Sequence, residues 1–390
     1  MTNRSGWHSL GAVLVCVSAW AQTGAPVPMS PVPASPVPAS AVPSLRLAHL
    51  RRGINLSEWF AQVVPPATYS KEHYAAHTTE QDIALIASLG FDHVRLSVNP
   101  APIFPGYGSR EEYFASLDAA VKMILDHGLA VVIDIHPESD FKARLSDDGF
   151  VERFTNFWRQ LAQHYSSWDT ERVFFEILNE PEASDRYRWF GIQAKLAGAI
   201  RESAPQHTII AAGARWSADD ELVFMEPLAD GNVIYNFHFY EPHTFTHQGA
   251  GWGSPYWIWV KGLPYPSTVE SANRVAEGVP DELGKLWIIR YGRDHWDAGR
   301  IEGEVNEVAE WALRRHLAVT CNEFGAYRKY MNPEDRARWI SDVRTTLEKH
   351  GIGWTMWDYA GSFGVVTKTG GVAAPDAVTV NALGLKMPGK

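Results

Sequence analysis

The sequence predicts a (β/α)8 barrel of the TIM type with one long insertion after the sixth strand. Eight short apolar runs, rich in β-branched and aromatic residues, recur between residues 52 and 358, each about as long as a buried strand. Stretches with an apolar step of 3 and 4 lie between them, with the punctuation of helix ends. The runs close on amides, carboxylates and histidines, at the end where a parallel barrel gathers its chemistry. Strictly alternating strands and helices imply a parallel sheet, and eight units favour a closed barrel over a doubly wound sheet.

The runs are Arg52–Leu56, His93–Val98, Ala130–Ile135, Val173–Leu178, Thr208–Ala212, Val233–Phe239, Ala318–Glu323 and Gly353–Asp358. After the first, Thr78 with Gln81 reads as a capping box, Ile83, Ile86 and Leu89 form one face, and Gly90 stops the helix. Ser109 with Glu112 opens the next helix, which carries Phe114, Leu117, Val121 and Ile124 to a stop at Gly128. Val151, Phe154, Trp158, Leu161 and Tyr165 repeat the step after the third run. In the fourth run Pro181 has no N–H for a ladder, so the strand must stop there and leave Asn179 and Glu180 at its end. About 80 residues separate the sixth run from the seventh, so the insertion sits at the catalytic end of the barrel. Asn332-Pro333 supplies an N-cap and a first-turn proline for a late helix ending near Gly351.

Before the barrel the chain has a different character. In residues 1–21, Arg4 and His8 precede an apolar run from Leu10 to Val17, and Ala19-Trp20-Ala21 has the form of a leader-peptide cleavage site. The run is too short to span a bilayer, so export to a secreted or periplasmic location is expected, with no membrane span. Residues 22–44 are Pro-rich and read as an extended, disordered tether, leaving residues 45–390 as the barrel domain. Removal of the leader leaves Cys321 as the only cysteine, a small buried strand residue that cannot form an intrachain disulfide. The net charge of −10 argues against nucleic acid as a partner. A monomer is expected.

In a barrel the strand ends converge on one pocket. Here they carry Arg95, His136, Asn179-Glu180, His238 with Tyr240, Glu323, and Trp357-Asp358. Two glutamates from opposite sides, with an arginine, two histidines and a tyrosine between them, are the equipment for cleaving a glycosidic bond. One carboxylate must be ionised to attack the anomeric carbon, and Arg95 and the Tyr240 hydroxyl would stabilise that charge. The other must be protonated to serve the leaving oxygen. Glu176 has the strand parity of Glu180 but lies ~13 Å deeper, as a paired carboxylate of the barrel interior. Asp358 is expected behind the inner surface. A metal hydrolase would need three or more ligands on one centre; there is no His-x-His on the first strand and no Cys pair, so neither metal nor cofactor is expected.

At this point the sequence resembles glycoside hydrolase family 5, in the clan of retaining barrel glycosidases. The resemblance rests on Arg52-Gly53-Ile54-Asn55-Leu56, Val94-Arg95-Leu96, Asp134-Ile135-His136, Leu178-Asn179-Glu180-Pro181, His238-Phe239-Tyr240, Asn322-Glu323-Phe324-Gly325 and Trp354–Trp357. Each motif falls on its own strand, over nearly all of residues 50–365. The resemblance implies that Glu180 is the acid/base and Glu323 the nucleophile. It implies that Asn179 bonds the sugar 2-hydroxyl, and that Arg95 and Tyr240 orient Glu323. His136 and His238 would line the subsite of the cleaved sugar, with Trp357 as its floor or wall. The implied partner is a β-linked polysaccharide or oligosaccharide, and the implied activity an endo-β-1,4-glucanase. An endo-β-mannanase or an exo-β-glucosidase of the same barrel is the alternative, and a non-catalytic sugar-binding barrel is disfavoured by the presence of both glutamates.

Flat aromatic faces suit sugars. Trp59 and Trp216 follow the first and fifth strand ends and are candidate sugar platforms. The insertion, Glu241 to about Arg300, carries Phe245, Trp252, Tyr256, Trp257, Trp259 and Tyr265, and the Gly249–Gly253 segment reads as flexible loop. Spacing does not sort its tryptophans into sugar-binding and packing groups.

Overall fold

The computed structural model describes residues 38–104 and 110–389. The leader, most of the Pro-rich stretch, and the expected helix opening at Ser109 lie outside the described residues. Eight parallel strands close into a barrel in sequence order: β1 (Arg52–Phe60), β2 (His93–Val98), β3 (Ala130–Ile135), β4 (Val173–Glu176), β5 (Thr208–Ala212), β6 (Val233–Phe239), β7 (Ala318–Phe324) and β8 (Gly353–Met356). β1 pairs with β8 to complete the ring. Among the described residues no helix is long and apolar enough to cross a membrane.

Inside the ring, side chains change character with height. At the bottom, Val132, Phe174, Ile210 and Ile234 form an apolar layer, closed from below by Val42 and Leu50. Of the Pro-rich stretch, residues 38–44 are described, and they are held to the barrel: the Ser40 N–H donates to the His316 carbonyl (2.8 Å) and the Ala41 N–H to that of Gly231 (2.7 Å). Two residues further up the strands, Asp134, Glu176 and Asn236 are buried and polar. The strand period of two therefore stacks an apolar plug under a charged layer, with the cleft above. Outside the ring, the main core lies between strands and helices and includes Trp158, Trp311 and Trp339.

Several boundaries differ from expectation. The capping box lies one residue later, with Thr79 as N-cap and Asp82 returning a bond to its N–H (2.8 Å); Thr78 instead ends the preceding helix. β1 runs on to Phe60 through an irregularity at which Glu58 takes φ 60°. β4 stops at Glu176, although the Asn179 N–H still reaches the Ile135 carbonyl (2.8 Å). A bulge sets Phe237 opposite Cys321 but His238 opposite Glu323, one residue further than regular pairing would give. Bulges re-aim side chains, and this one lets the consecutive residues Asn322 and Glu323 both serve the barrel top. Gly325 follows because a Cβ there would meet the Trp357 carbonyl at 2.3 Å.

The insertion holds a short helix (His243–Thr246), a single turn (Trp257–Trp259) and two paired helices (Val269–Glu277, Glu282–Arg293) before the crossover helix Ala298–Arg315. The glycine segment, expected to be flexible, is tied down: the Gly249 N–H donates to the Trp257 carbonyl (2.8 Å). A hairpin, β9 (Val366–Thr369) and β10 (Val372–Pro375), turns at Gly370 and Gly371, whose φ values of 57° and 82° suit a glycine pair.

Candidate active site

Arg95 is the hub of the charged layer. It is fully buried, and its Nε and Nη2 donate to the two oxygens of Glu176 (2.9 and 2.8 Å). Nη2 also reaches Asn179 Oδ1 (2.9 Å) and lies 3.0 Å from Asp134; Nη1 donates to Asn55 Oδ1 (2.9 Å) and to Glu323 Oε1 (2.5 Å). Glu176 accepts further bonds from Asn322 (2.6 Å) and Asn236 (3.2 Å). A buried ion pair stabilises only when its remaining donors and acceptors are filled, as they are for Arg95 with Glu176. Burial pushes Asp134 up to about 7 although Arg95 opposes it, whereas the three carboxylates around Arg95 outweigh its burial and hold it charged.

Above this layer the two glutamates face each other. Glu323 has both oxygens occupied, one by Arg95 and the other by the Tyr240 hydroxyl (2.8 Å). Burial keeps that phenol protonated, hence a donor. Glu180 caps the β4 loop in a left-handed conformation (φ 45°), and its side chain is 26% exposed against 5% for Glu323. His238 stands between them, with Nδ1 3.0 Å from Glu180 Oε1 and 3.5 Å from Glu323 Oε2. Burial lowers its pKa to about 4, so the ring is neutral near pH 7 and an Nδ1–H can serve either carboxylate. One oxygen from each glutamate and a ring nitrogen of His238 lie within 4.8 Å of one another. Three such groups could ligate a metal, but the Arg95 guanidinium already occupies one side of Glu323, which suits carboxylate chemistry better.

His136 completes the floor. Its Nδ1 bonds Asp134 (2.8 Å), its Nε2 faces the Asn179 amide (3.1 Å), and its ring stacks beside Trp357 (centroids 5.7 Å apart). Burial lowers its pKa to about 3, leaving a neutral ring with fixed orientation. Arg95, His136, Asn179, Glu180, His238, Tyr240, Glu323 and Trp357 thus come together at the mouth of the barrel.

The family model for cellulase (glycosyl hydrolase family 5) matches residues 56–362. The chain belongs to this family. Endoglucanase C of Acetivibrio thermocellus is 29% identical over 324 residues, 80% of this chain and 92% of that protein. Cellodextrinase A of Ruminococcus flavefaciens is 29% identical over 314 residues, 77% of this chain and 83% of that protein. Among solved structures, Thermotoga maritima Cel5A in complex with cellobiose superposes with a TM-score of 0.69 at 28% identity, covering 87% of this chain and 98% of that one.

In this family 5 barrel the cleft has a volume of about 1080 Å³. The irregular last part of β1, with Ser57 and Glu58, and the chain beyond β8, with Phe363, form one end; Trp216 and Asp219 after β5, and the insertion, form the other. Trp216 is 58% exposed and lines the cleft. It sits in a run of three left-handed residues, Arg215, Trp216 and Ser217, with φ of 47°, 60° and 55°. Such a run persists only when its surroundings hold it. Here the Trp216 N–H bonds the Pro181 carbonyl (2.9 Å), next to Glu180, and Arg215 pairs with buried Glu221, which also accepts from Arg186 (3.0 Å).

Trp59 is a correction. It is 2% exposed, does not line the cleft, and its indole N–H donates to the Tyr74 carbonyl (2.8 Å). The irregular end of β1 turns it outward into the helix layer, so it packs the fold. The insertion tryptophans part ways. Trp252 lines the cleft with its edge on Tyr327, and Trp257 lines it as the buried end of a stack with His243 and His247 (5.8 and 4.6 Å). Trp259 is exposed away from the cleft. Phe245, Tyr256 and Tyr265 are core. Sequence reasoning missed His243, His247, Glu58 and Asp219 as cleft residues. None obeys a strand period, so no local signal marked them.

Proposed function

We propose that this protein is a secreted, retaining endo-β-1,4-glucanase. The observation that carries the mechanism is the carboxylate pair. One oxygen of Glu180 and one of Glu323 lie within 4.8 Å of each other, which supports direct attack by a carboxylate without an intervening water. That spacing belongs with the ~5–5.5 Å of retaining pairs rather than the ~6.5–9.5 Å of inverting ones. The roles follow from the environments. Glu323, gripped by Arg95 and Tyr240, is the nucleophile that bonds the anomeric carbon. Glu180, more exposed and held by His238, gives its proton to the leaving oxygen and later takes one from water. Asn179, fixed from behind by Arg95 and His136, bonds the 2-hydroxyl beside the reacting carbon.

Endo action is supported by a cleft with walls on both sides of the glutamates, and glucan as substrate by relatives called endoglucanases. Export is supported by the leader-like residues 1–21. A second reading, β-mannan, has one specific support: Thermotoga maritima Cel5A is also described in complex with mannotriose, at a TM-score of 0.69 and 27% identity. Early-time NMR of cellohexaose hydrolysis tests the mechanism, since a retaining enzyme releases the β-anomer first and α-product at early times would remove the nucleophile role of Glu323. Rates on β-glucan, mannan and xylan decide the substrate.

A further inference from the structure

Arg336 lies outside the cleft, near the start of the helix Pro333–Lys349, and is 4% exposed. A charge buried this deeply is normally paired with an opposite one. The three bonds of this guanidinium go to neutral acceptors instead. Nε donates to the Ala326 carbonyl (2.8 Å), Nη2 to the Phe363 carbonyl (2.5 Å) and Nη1 to the Thr379 hydroxyl (2.6 Å). An acid enters at one remove, since Thr379 donates in turn to Asp376 (2.5 Å). Burial lowers the pKa of Arg336 to about 10, with Asp376 opposing, and the group stays charged at neutral pH. A neutral side chain would fill the space without the cost of burying a charge. What arginine adds is a rigid planar fork of N–H donors, able to hold acceptors from three segments in one geometry.

Two of those segments lead to the same residue of the site. Ala326 stands three residues after Glu323, just past β7, and Phe363 stands on the chain beyond β8 and lines the cleft. The two turns meet again where the Arg328 N–H donates to the Ser362 carbonyl (3.2 Å). Phe363 packs its ring against Tyr240 (centroids 6.1 Å apart) and against Tyr327 (5.7 Å). From the other turn, the Tyr327 N–H donates to the Thr246 carbonyl (2.7 Å), and the Thr246 hydroxyl donates to the Tyr240 carbonyl (2.6 Å). The ring and the backbone of Tyr240 are thus braced by the two turns that Arg336 joins. The Tyr240 hydroxyl in turn holds Glu323 (2.8 Å).

We propose that Arg336 is a positioning residue for Tyr240 and, through it, for Glu323. This rests on the reading of Glu323 as the nucleophile. The fork locks the turn after β7 to the turn after β8, so that the wall behind Tyr240 is rigid and its hydroxyl stays on the second oxygen of Glu323. A misplacement of ~1 Å, caused far from the chemistry, can cost ~10²-fold in rate. The third arm serves packing alone, since Thr379 belongs to the helix Ala377–Ala382, which gives no residue to the cleft.

The test is a double-mutant cycle on cellohexaose hydrolysis, with kcat and KM read separately and folding checked by thermal melting. Arg336→Met should lower kcat about tenfold or more and leave KM within about twofold. Tyr240→Phe should also lower kcat about tenfold or more. On the Tyr240→Phe background, Arg336→Met should change kcat by less than about twofold, because the bond it guards is already gone. Thr379→Val, which removes the third arm, should leave kcat within about twofold whatever its melting temperature. If Arg336→Met does not fold, Arg336→Lys, which keeps the charge and loses the fork, takes its place in the cycle with the same expectation. Equal losses of kcat on both backgrounds would mean that Arg336 acts through general stability, and would overturn the proposal. So would an unchanged kcat in the Arg336 variant, or a loss in Thr379→Val equal to it. An unchanged kcat in Tyr240→Phe is a different failure: it removes the Tyr240 bond from the chemistry of Glu323, and this proposal falls with that reading.

Discussion

The barrel-top strand ends and the β6–β7 insertion both line the cleft, but they are built on different principles. At the strand ends, Arg95, Asn179 and Glu323 are each held by two or more bonds from neighbouring segments, and each sits on or directly after a barrel strand: Arg95 within β2, Glu323 at a bulge in β7, and Asn179 just past the end of β4. In the insertion, Trp252, Trp257 and Trp259 fall within eight consecutive positions and meet three fates: cleft edge, stacked wall, and solvent. A strand constrains where a side chain points before any tertiary contact forms. A loop leaves that choice to its contacts. The first region should therefore answer mutation through chemistry and global stability, and the second through substrate affinity alone.

The largest expected effect tests the chemical half of that contrast. Glu180→Ala should lower polysaccharide hydrolysis by ~10²–10⁴-fold while sparing the first step on aryl glycosides whose leaving groups need no proton. Added azide should restore turnover and yield a β-glycosyl azide. If azide instead rescues Glu323→Ala and gives the α-azide, the two roles are exchanged.

Next comes the charged layer. Glu176→Ala should cost ~3–5 kcal/mol in denaturant unfolding, because it leaves buried Arg95 short of its bidentate partner. A loss below ~1 kcal/mol would mean that the layer does not act as one network. The tryptophans then separate packing from binding. Trp59→Ala should cost ~3–5 kcal/mol, whereas Trp252→Ala should stay within about 0.5 kcal/mol and raise KM on long oligosaccharides more than on short ones. A large stability loss for Trp252→Ala would move that residue into the core and blur the contrast.

The smallest effect is a pH dependence. His136 and His238, lowered to about 3 and about 4, are neutral in the folded protein where an unfolded histidine would titrate near ~6.5. Taken alone, each loses stability as pH falls below ~6.5 and through its folded value. Asp134 and Asp219, raised to about 7, act with the opposite sign, since the folded state binds the extra proton between about 7 and an unfolded value of ~3.9. The two pairs should largely cancel, so that their joint contribution to the stability profile is shallow between about pH 6.5 and 4. The His136 and His238 ring signals should not titrate in NMR between about pH 8 and 5.5; titration near 6.5 would show that the floor is open to water.

Sequence alone determined the barrel and most of its floor. Eight apolar runs separated by capped helices leave few alternatives to a parallel ring, and polar residues at the run ends must then converge. Glu176 could be set aside from Glu180 by counting four residues along one strand. What tertiary structure decided lies where that counting fails. The irregular end of β1 turned Trp59 into the core. The bulge opposite Phe237 gave Asn322 and Glu323 a common site that alternation would have split between two faces. The three left-handed residues at 215–217 hold Trp216 over the cleft only because Pro181 and Glu221 bind the turn from other segments. Cleft residues such as His243 and Asp219 had no periodic signal, because their positions come from contacts between distant loops and not from the repeat of any one element.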